Sequence, residues 1–266
     1  MAHKYNKLAN TRILVFGGSA GIGYAVAEGS LASHTAVIIT ASSDTKLEAS
    51  TSQLRADFPG AEVSGYVCSL SSLDDLEVNI LNVLKQAGKV DHVVYTAGDS
   101  HVPTPIAEMT IAHALDAMRI RYFGALMLAK HLPEYLTSKT CACSLTVTTS
   151  FAVDRATGGW PAEQSTTMAI KGLMETLAID LRPIRVNAVG PGVVLTKTFE
   201  GYLKPEELEA LVERQANGGT LTGEVARPEG IAEAYLWVMR DRGVTGTQVF
   251  SDSGAKFVDT GLRGAG

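Results

Sequence analysis

Residues 13–23 read ILVFGGSAGIG, and this stretch decides the fold of the chain. A short apolar run leads into a glycine-rich turn in which Gly17, Gly21 and Gly23 have the spacing G-x3-G-x-G, and a helical pattern follows over about residues 21–32. Glycine in such a turn lets the backbone approach a pyrophosphate and lets the helix pack closely on the strand. The helix amino terminus then offers unpaired N–H groups and a positive dipole end to the phosphates. The stretch therefore predicts a nucleotide-binding strand–turn–helix unit.

The rest of the chain repeats this alternation. Further strands are predicted over residues 36–40, 63–67, 92–96, 145–148, 184–188 and 247–250, and helices over about 45–58, 73–87, 110–136, 166–181, 205–216 and 228–240. The strand runs are continuously apolar, which is typical of strands covered on both faces in a parallel sheet. We therefore expect one α/β domain over residues 1–266: a Rossmann-type, doubly wound sheet of about seven parallel strands with helices on both faces.

Composition narrows the classes of partner. The chain has 266 residues, 45% of them hydrophobic, and a formal net charge of -5. An acidic chain without basic runs argues against a nucleic-acid or anionic-membrane partner. We expect no membrane span, no secretory signal and a cytoplasmic location. The three cysteines, Cys68, Cys141 and Cys143, are predicted to be buried and reduced, with no metal site.

The end of the second predicted strand bears on cofactor choice. NAD-specific folds place an acid there to hold the ribose hydroxyls. This chain has Ser42 and Ser43 instead, with Asp44 predicted to cap the following helix. Small hydroxyl residues leave room for a 2′-phosphate and can donate hydrogen bonds to it. The sequence favours NADP(H), and NAD(H) stays open because no arginine is present there.

Several later landmarks resemble those of one enzyme family. Ala97-Gly98 follows the fourth strand, Lys171 lies on a helix, and residues 185–192 read RVNAVGPG. With the glycine turn, these make the chain resemble a short-chain dehydrogenase/reductase over nearly its whole length. The resemblance implies that Ala97-Gly98 and Pro191-Gly192 line the cofactor. The full predicted cofactor set is Gly17, Ser19, Gly21, Ile22, Gly23, Ser42, Ser43, Ala97, Gly98, Lys171, Pro191, Gly192, Val194 and Thr196.

The chain departs from the family's catalytic pattern of serine, tyrosine, lysine and a helix asparagine. Thr167, four residues before Lys171, stands where the tyrosine belongs, and Arg121 stands where the asparagine belongs. Ser150 matches the serine, but the loop from it to Thr167 is about four residues longer than usual. A threonine hydroxyl is too weak an acid and too short to replace a phenol. Losing a positioned general acid typically costs about 10²–10⁴-fold in rate.

Other side chains are candidates for the missing chemistry. Asp99, Arg121 and Asp154, together with Ser150 and Lys171, form the predicted catalytic set. Trp160, Thr167 and Arg155 are predicted to contact substrate. The alternatives are a turn cap for Asp99, a rim ion pair for Arg121, and a solvated loop pair for Asp154 and Arg155.

The pattern is similar to that of fungal short-chain reductases of secondary metabolism. Among these are bifunctional reductase/Diels–Alderases of indole alkaloid pathways, which lack the usual tyrosine and reduce an iminium-type intermediate with NADPH. Their pocket is shaped by an aspartate and an arginine, which Asp99 and Arg121 match. Residues 156–160 read ATGGW, where those proteins have PDPGW, so the resemblance does not carry cycloaddition over as the main activity.

Three functions follow from these features. The leading one is NADP(H)-dependent reduction of an iminium or carbonyl group in a bulky secondary metabolite. The second is a non-redox cyclase, isomerase or pericyclase with a structural or vestigial nucleotide. The third is a silent nucleotide-sensing protein. The family resemblance also implies a homodimer or homotetramer, and residues 190–226 are expected to cover the substrate.

Overall fold

The apolar runs form the strands of a single sheet. The computed structural model describes residues 4–98, 104–156, 158–196 and 204–258, and in these ranges seven parallel strands are ordered β3-β2-β1-β4-β5-β6-β7. They are β1 (Arg12–Phe16), β2 (Ala36–Ala41), β3 (Val63–Val67), β4 (His92–Tyr95), β5 (Ser144–Thr148), β6 (Arg185–Pro191) and β7 (Gln248–Ser251). The predicted fold class is confirmed. β6 extends three residues beyond its predicted end, and Ser150 lies two residues past β5 rather than at its end.

Helices cover both faces of the sheet. They are α1 (Gly21–Ala32), α2 (Asp44–Asp57), α3 (Leu73–Ala87), α4 (Ile111–Met118), α5 (Ala125–His131), α6 (Pro161–Asp180), α7 (Pro205–Arg214) and α8 (Pro228–Arg240). One buried core joins α3, α5 and α6 to one face, and a second joins α1 and α8 to the other. Burial on both sides explains why the strands are apolar along their whole length.

Two helix predictions were wrong in extent. The single helix predicted over 110–136 is interrupted after α4 by a π-helical turn, Arg119–Gly124, and after α5 the chain continues as a 3₁₀ turn, Leu132–Tyr135. A continuous apolar pattern does not reveal such an interruption, because a π-turn adds one residue without changing polarity. α6 begins at Pro161 instead of residue 166, since proline is well suited to the first helical position.

The strand order brings two loops together. β1 pairs with β2 on one side and β4 on the other, so the chain leaves β1 and β4 towards opposite sides of the sheet. In doubly wound sheets the crevice at such a switch point, beyond the carboxyl ends of the strands, is where ligands bind. Here the glycine turn after β1 faces residues 96–98 after β4.

Buried polar groups hold the structure at the amino-terminal ends of the strands, opposite the crevice. Arg185 is 2% exposed, and its guanidinium donates to the Met239 carbonyl (2.8 Å) and the Asp241 carbonyl (3.0 Å) at the end of α8. Such bonds satisfy carbonyls that a helix end leaves unpaired. Arg185 therefore fixes α8 to the sheet, away from the crevice.

The cysteine prediction is partly corrected. All three thiols are free; Cys68 and Cys143 are buried, but Cys141 is exposed because it lies in the turn before β5. Burial raises the pKa of the Cys68 thiol to about 12. Within the ranges that the structure describes, no helix is both long and apolar enough to cross a membrane.

Candidate active site

Three glycines of the turn have no room for a side chain. An added Cβ on Gly17, whose φ is +80°, would lie 2.8 Å from the Ala97 Cα, and one on Gly23 would lie 2.3 Å from the Thr96 Oγ1. Gly21 has a φ of +54°, and a Cβ added there would lie 3.1 Å from the Thr196 methyl. Positive φ and close backbone approach both require glycine. The turn therefore stays a bare backbone surface, and Ala97 and Thr196 of the predicted cofactor set lie against it.

The amino-terminal end of α1 has the electrostatic character that favours binding of a phosphate. Ser19 lies in the turn just before the helix, and the first helical turn carries no acidic residue. Ile22 packs on the core below, which anchors this turn. Because the first N–H groups of a helix lack intrahelical partners, they can bind an anion. This end of α1 fits a pyrophosphate.

The end of β2 differs from prediction and adds a residue that the sequence interpretation missed. Ser43, not Asp44, caps α2, because its Oγ accepts a hydrogen bond from the Lys46 backbone N–H (3.4 Å). The Lys46 ammonium lies 3.4 Å from the exposed Ser42 Oγ. The spacing of four residues from Ser42 across a helix start was the signal available in the sequence. A serine and a cation thus share the position where a 2′-phosphate would lie.

Arg121 lies against the end of β4. A Cβ on Gly98 would be 2.7 Å from its Cζ and 2.8 Å from its Nη2, so the guanidinium rests directly on the Gly98 backbone. Arg121 belongs to the π-turn, Arg119–Gly124. A permanent cation, with donors in a planar fork suited to carboxylates, therefore stands at the crevice. Asp99, also a predicted catalytic residue, lies outside the described residues.

Thr167 and Lys171 are both engaged on α6 itself. The Thr167 hydroxyl donates to the Glu163 carbonyl one turn earlier (3.0 Å). The Lys171 ammonium lies 2.9 Å from the Glu175 carboxylate, and its side chain is 38% exposed. The hydrogen bond to Glu175 raises the pKa of Lys171, which stays protonated. In this conformation the Lys171 ammonium is paired with Glu175 one turn along α6.

The loop after β5 is tied to the C-terminal end of the fold. The Ser150 Oγ accepts from the Ala152 N–H (3.1 Å), which caps a 3₁₀ turn, Phe151–Val153. The Asp154 carboxylate is 46% exposed and lies 3.9 Å from the Lys256 ammonium. The Arg155 guanidinium donates to the Ala255 carbonyl. Asp154 and Arg155 thus anchor this loop to a second 3₁₀ turn, Ala255–Phe257.

The remaining predicted residues line the loops above β5 and β6. Trp160 immediately precedes α6 and is 39% exposed, with its ring available to an apolar ligand. Pro191 ends β6, a Cβ added at Gly192 would lie 3.0 Å from the Asp252 backbone, and Val194 bridges to Ala226. These contacts fix the loop that carries Thr196 over the glycine turn.

A cavity of about 640 Å³ lies on the far side of this loop. Its described lining comes from the β6–α7 connection, α7, the segment before α8 and the end of β7, and includes Leu195, Val212, Ile231 and Ser251. Of the predicted catalytic residues that the structure describes, none lines it. No group of three metal-ligating side chains was found in the part of the chain that the structure describes.

Known proteins share this arrangement over most of the chain. Residues 4–258 match the model of the SDR-like Rossmann domain. The short-chain dehydrogenase/reductase malC of Malbranchea aurantiaca is 35% identical over 254 residues, 93% of this chain and 95% of that protein. The enzyme fsr5 of Gibberella fujikuroi is 33% identical over 255 residues, 94% of this chain and 96% of that protein.

A solved structure agrees with both sequence matches. The structure of the MalC reductase/Diels-Alderase from Malbranchea aurantiaca superimposes with a TM-score of 0.90 at 34% identity, covering 95% of this chain and 99% of that one. The glycine turn, the sheet order and these matches lead to one conclusion: the chain belongs to the short-chain dehydrogenase/reductase family.

Proposed function

We propose that the protein is an NADP(H)-dependent reductase acting on an iminium or carbonyl group of a bulky secondary metabolite. One observation carries the proposal. Two features lie together at the carboxyl ends of β1 and β4: the turn with Gly17, Gly21 and Gly23, and the Arg121 guanidinium on Gly98. The turn suits a dinucleotide, and the guanidinium suits a polar substrate group beside it. Similarity to a protein described as a reductase/Diels-Alderase supports this choice of chemistry.

The described residues fit a nicotinamide dinucleotide. The start of α1 would hold the pyrophosphate with its unpaired first N–H groups, and Gly17 and Gly23 let the turn before it pack tightly against Thr96 and Ala97. Lys46 and Ser42 would hold a 2′-phosphate, and Lys171 the ribose hydroxyls once released from Glu175. When bound in reduced form, the cofactor supplies a hydride.

The group at the position of the usual proton donor bears on the class of substrate. The Thr167 hydroxyl donates its hydrogen bond to the Glu163 carbonyl, so it is not directed at a substrate as a proton donor. An iminium carbon is already electrophilic and accepts a hydride without simultaneous protonation. We therefore place an iminium ahead of a carbonyl. Arg121 would orient an anionic or carbonyl oxygen of the same substrate by charge-assisted hydrogen bonds.

Cofactor preference is tested at Lys46. A lysine acts on phosphate as a point charge, so Lys46→Ala should weaken NADPH binding about tenfold and leave NADH binding within about twofold. Isothermal calorimetry of both nucleotides measures this, with Lys85→Ala at the end of α3 as a matched control for loss of surface charge. Equal loss for both nucleotides would contradict a 2′-phosphate site at Lys46.

Hydride transfer is tested directly. A cyclic iminium such as N-methyl-3,4-dihydroisoquinolinium is incubated with 4-deuterated NADPH, and deuterium in the product is measured by mass spectrometry. Transfer that depends on the protein supports the proposal. A panel of iminium and ketone probes that gains no deuterium contradicts it.

A non-redox reaction is the second candidate, favoured by the Diels-Alderase activity in the description of the relative at 34% identity. On this view Arg121 polarises a carbonyl and the nucleotide is structural. Turnover of a diene-bearing probe by protein stripped of nucleotide would select this candidate over the first.

The exposed apolar surface supports self-association as part of the proposal. Ile111 and Leu115, one turn apart on α4, are 81% and 42% exposed, and Met168 on the neighbouring α6 is 42% exposed. A second copy of the chain covering this surface would give the expected homodimer, or a homotetramer with a further contact. Analytical ultracentrifugation of the native chain and of Leu115→Glu checks this, and a monomeric native chain would contradict it. The free thiols fit the proposed cytoplasmic location.

A further inference from the structure

A row of buried hydrogen bonds connects α8 to the π-turn that carries Arg121. The fully buried Tyr235 of α8 has its hydroxyl 2.6 Å from the Thr148 Oγ1, and Thr148 donates to the Tyr95 carbonyl (2.9 Å). A hydroxyl has a single proton, so Tyr235 must donate to Thr148. The row ends on a carbonyl. It therefore holds geometry and does not conduct protons.

Tyr95 continues this row into the π-turn. Its phenol hydroxyl donates to the Ile120 carbonyl at 2.7 Å. Because a π-turn disturbs the regular helical hydrogen bonds, a carbonyl within it gains from a side-chain donor. Burial on β4 and packing against the Phe16 ring, with centroids 5.7 Å apart, fix the direction of the phenol.

Gly124 makes this contact possible. A Cβ there would lie 1.9 Å from the Tyr95 hydroxyl oxygen, far inside contact distance. The phenol therefore occupies the space that any larger residue at position 124 would fill. Tyr95 and Gly124 are a matched pair, and the shape of the π-turn depends on both.

Tyr95 is therefore connected to Arg121 in two ways, through the neighbouring Ile120 carbonyl and through the chain segment under the Arg121 guanidinium. Arg121 directly follows Ile120, whose carbonyl Tyr95 holds, and its guanidinium rests on Gly98, three residues after Tyr95 along the same chain segment. We propose that Tyr95 is a positioning residue whose hydroxyl, through Ile120, holds Arg121 in its place over Gly98. This inference rests on the proposed function of Arg121 at the crevice and identifies Tyr95 as the residue that positions its guanidinium.

The test compares two deletions of a phenol hydroxyl that donates to a backbone carbonyl. Tyr95→Phe removes the bond to the π-turn and keeps the ring, whereas Tyr66→Phe on β3 removes a hydroxyl that donates to the Gln86 carbonyl (3.0 Å) at the end of α3. In turnover of N-(carboxymethyl)-3,4-dihydroisoquinolinium, whose carboxylate Arg121 would orient, with NADPH, we expect about a tenfold fall in kcat for Tyr95→Phe and less than about twofold for Tyr66→Phe. Equal falls for the two variants would overturn the inference, because they would reflect general loosening.

A double-mutant cycle of Tyr95→Phe with Arg121→Ala separates the effect of Tyr95 on the position of Arg121 from its effect on stability. If Tyr95 acts through Arg121, Tyr95→Phe should add almost nothing to the turnover defect of Arg121→Ala, although it still lowers the melting temperature. A full additional loss of turnover would refute the assignment. Gly124→Ala, which evicts the phenol from the other side, should reproduce the Tyr95→Phe defect and covers the case in which that variant does not fold.

An NMR readout keeps the inference testable without turnover. The Arg121 Nε–Hε signal, assigned by its loss in Arg121→Ala, should shift and broaden in Tyr95→Phe and stay in place in Tyr66→Phe. An unchanged Arg121 signal in Tyr95→Phe would sink the positioning role whatever the substrate. Absence of hydride transfer with the predicted signal change would instead refute only the reductase proposal.

Discussion

Gly98→Ala isolates the role of Arg121, because the added methyl group meets the end of one flexible side chain. The new Cβ would lie 2.7 Å from the Arg121 Cζ, whereas ordinary contact begins at 3.4 Å. The guanidinium must therefore retreat by the difference, about 0.7 Å, if it is to relieve the clash. The φ of Gly98 lies outside the left-handed region, so the backbone tolerates alanine.

A displacement of this size predicts a large effect on activity and a small effect on stability. Misplacing a reacting group by about 1 Å can cost about 10²-fold in rate, so we expect turnover with NADPH to fall about 10–100-fold. The free energy of unfolding should change by less than about 1 kcal/mol, because only a side-chain end moves. Gly17→Ala is the contrast: its Cβ meets the Ala97 backbone at 2.8 Å, and its φ is +80°. That variant should lose stability and nucleotide binding together.

The assay combines initial rates, calorimetry with NADPH and urea unfolding of Gly98→Ala, Arg121→Ala and the double variant. In the double variant the alanine has no guanidinium to displace, so turnover should match that of Arg121→Ala alone. Unchanged turnover in Gly98→Ala would refute the reasoning. So would a rate loss explained entirely by weaker NADPH binding.

Three further predictions concern groups outside this contact. Glu175→Gln should raise NADPH affinity about twofold by calorimetry, since Lys171 then no longer has to give up a surface pair worth about 0.3–0.5 kcal/mol to reach the ribose; weaker binding would contradict this. Burial lowers the pKa of His92 from 6.5 to about 4, so the unfolded chain binds the proton first as the pH falls. The free energy of unfolding should drop by about 2 kcal/mol more between pH 7 and pH 5 than in His92→Gln, and equal slopes in urea titrations would refute it. Ser43→Ala should cost about 1 kcal/mol in the same unfolding assay, because it removes the cap of α2, whereas no loss would return the cap to Asp44.

The fold was readable from local patterns. Continuous apolar runs such as Val37–Ile39 need cover on both faces, and the glycine turn needs a strand before it and a helix after it, so strand, helix and sheet type follow from neighbouring residues alone. The same local information failed where distant residues decide. It missed the π-turn at Arg119–Gly124, because the Tyr95 phenol that fills it comes from a strand about 25 residues earlier.

The sequence by itself determined a doubly wound sheet with a glycine turn, and it determined that threonine stands before Lys171. Only the tertiary structure decided where charges and hydroxyls point: Lys46 to Ser42, Lys171 to Glu175, and Arg121 onto Gly98. The physical reason is the separation along the chain of the residues that determine each property. Backbone conformation and burial are set mainly by adjacent residues, whereas a long side chain chooses among partners that the fold gathers from separate strands and helices.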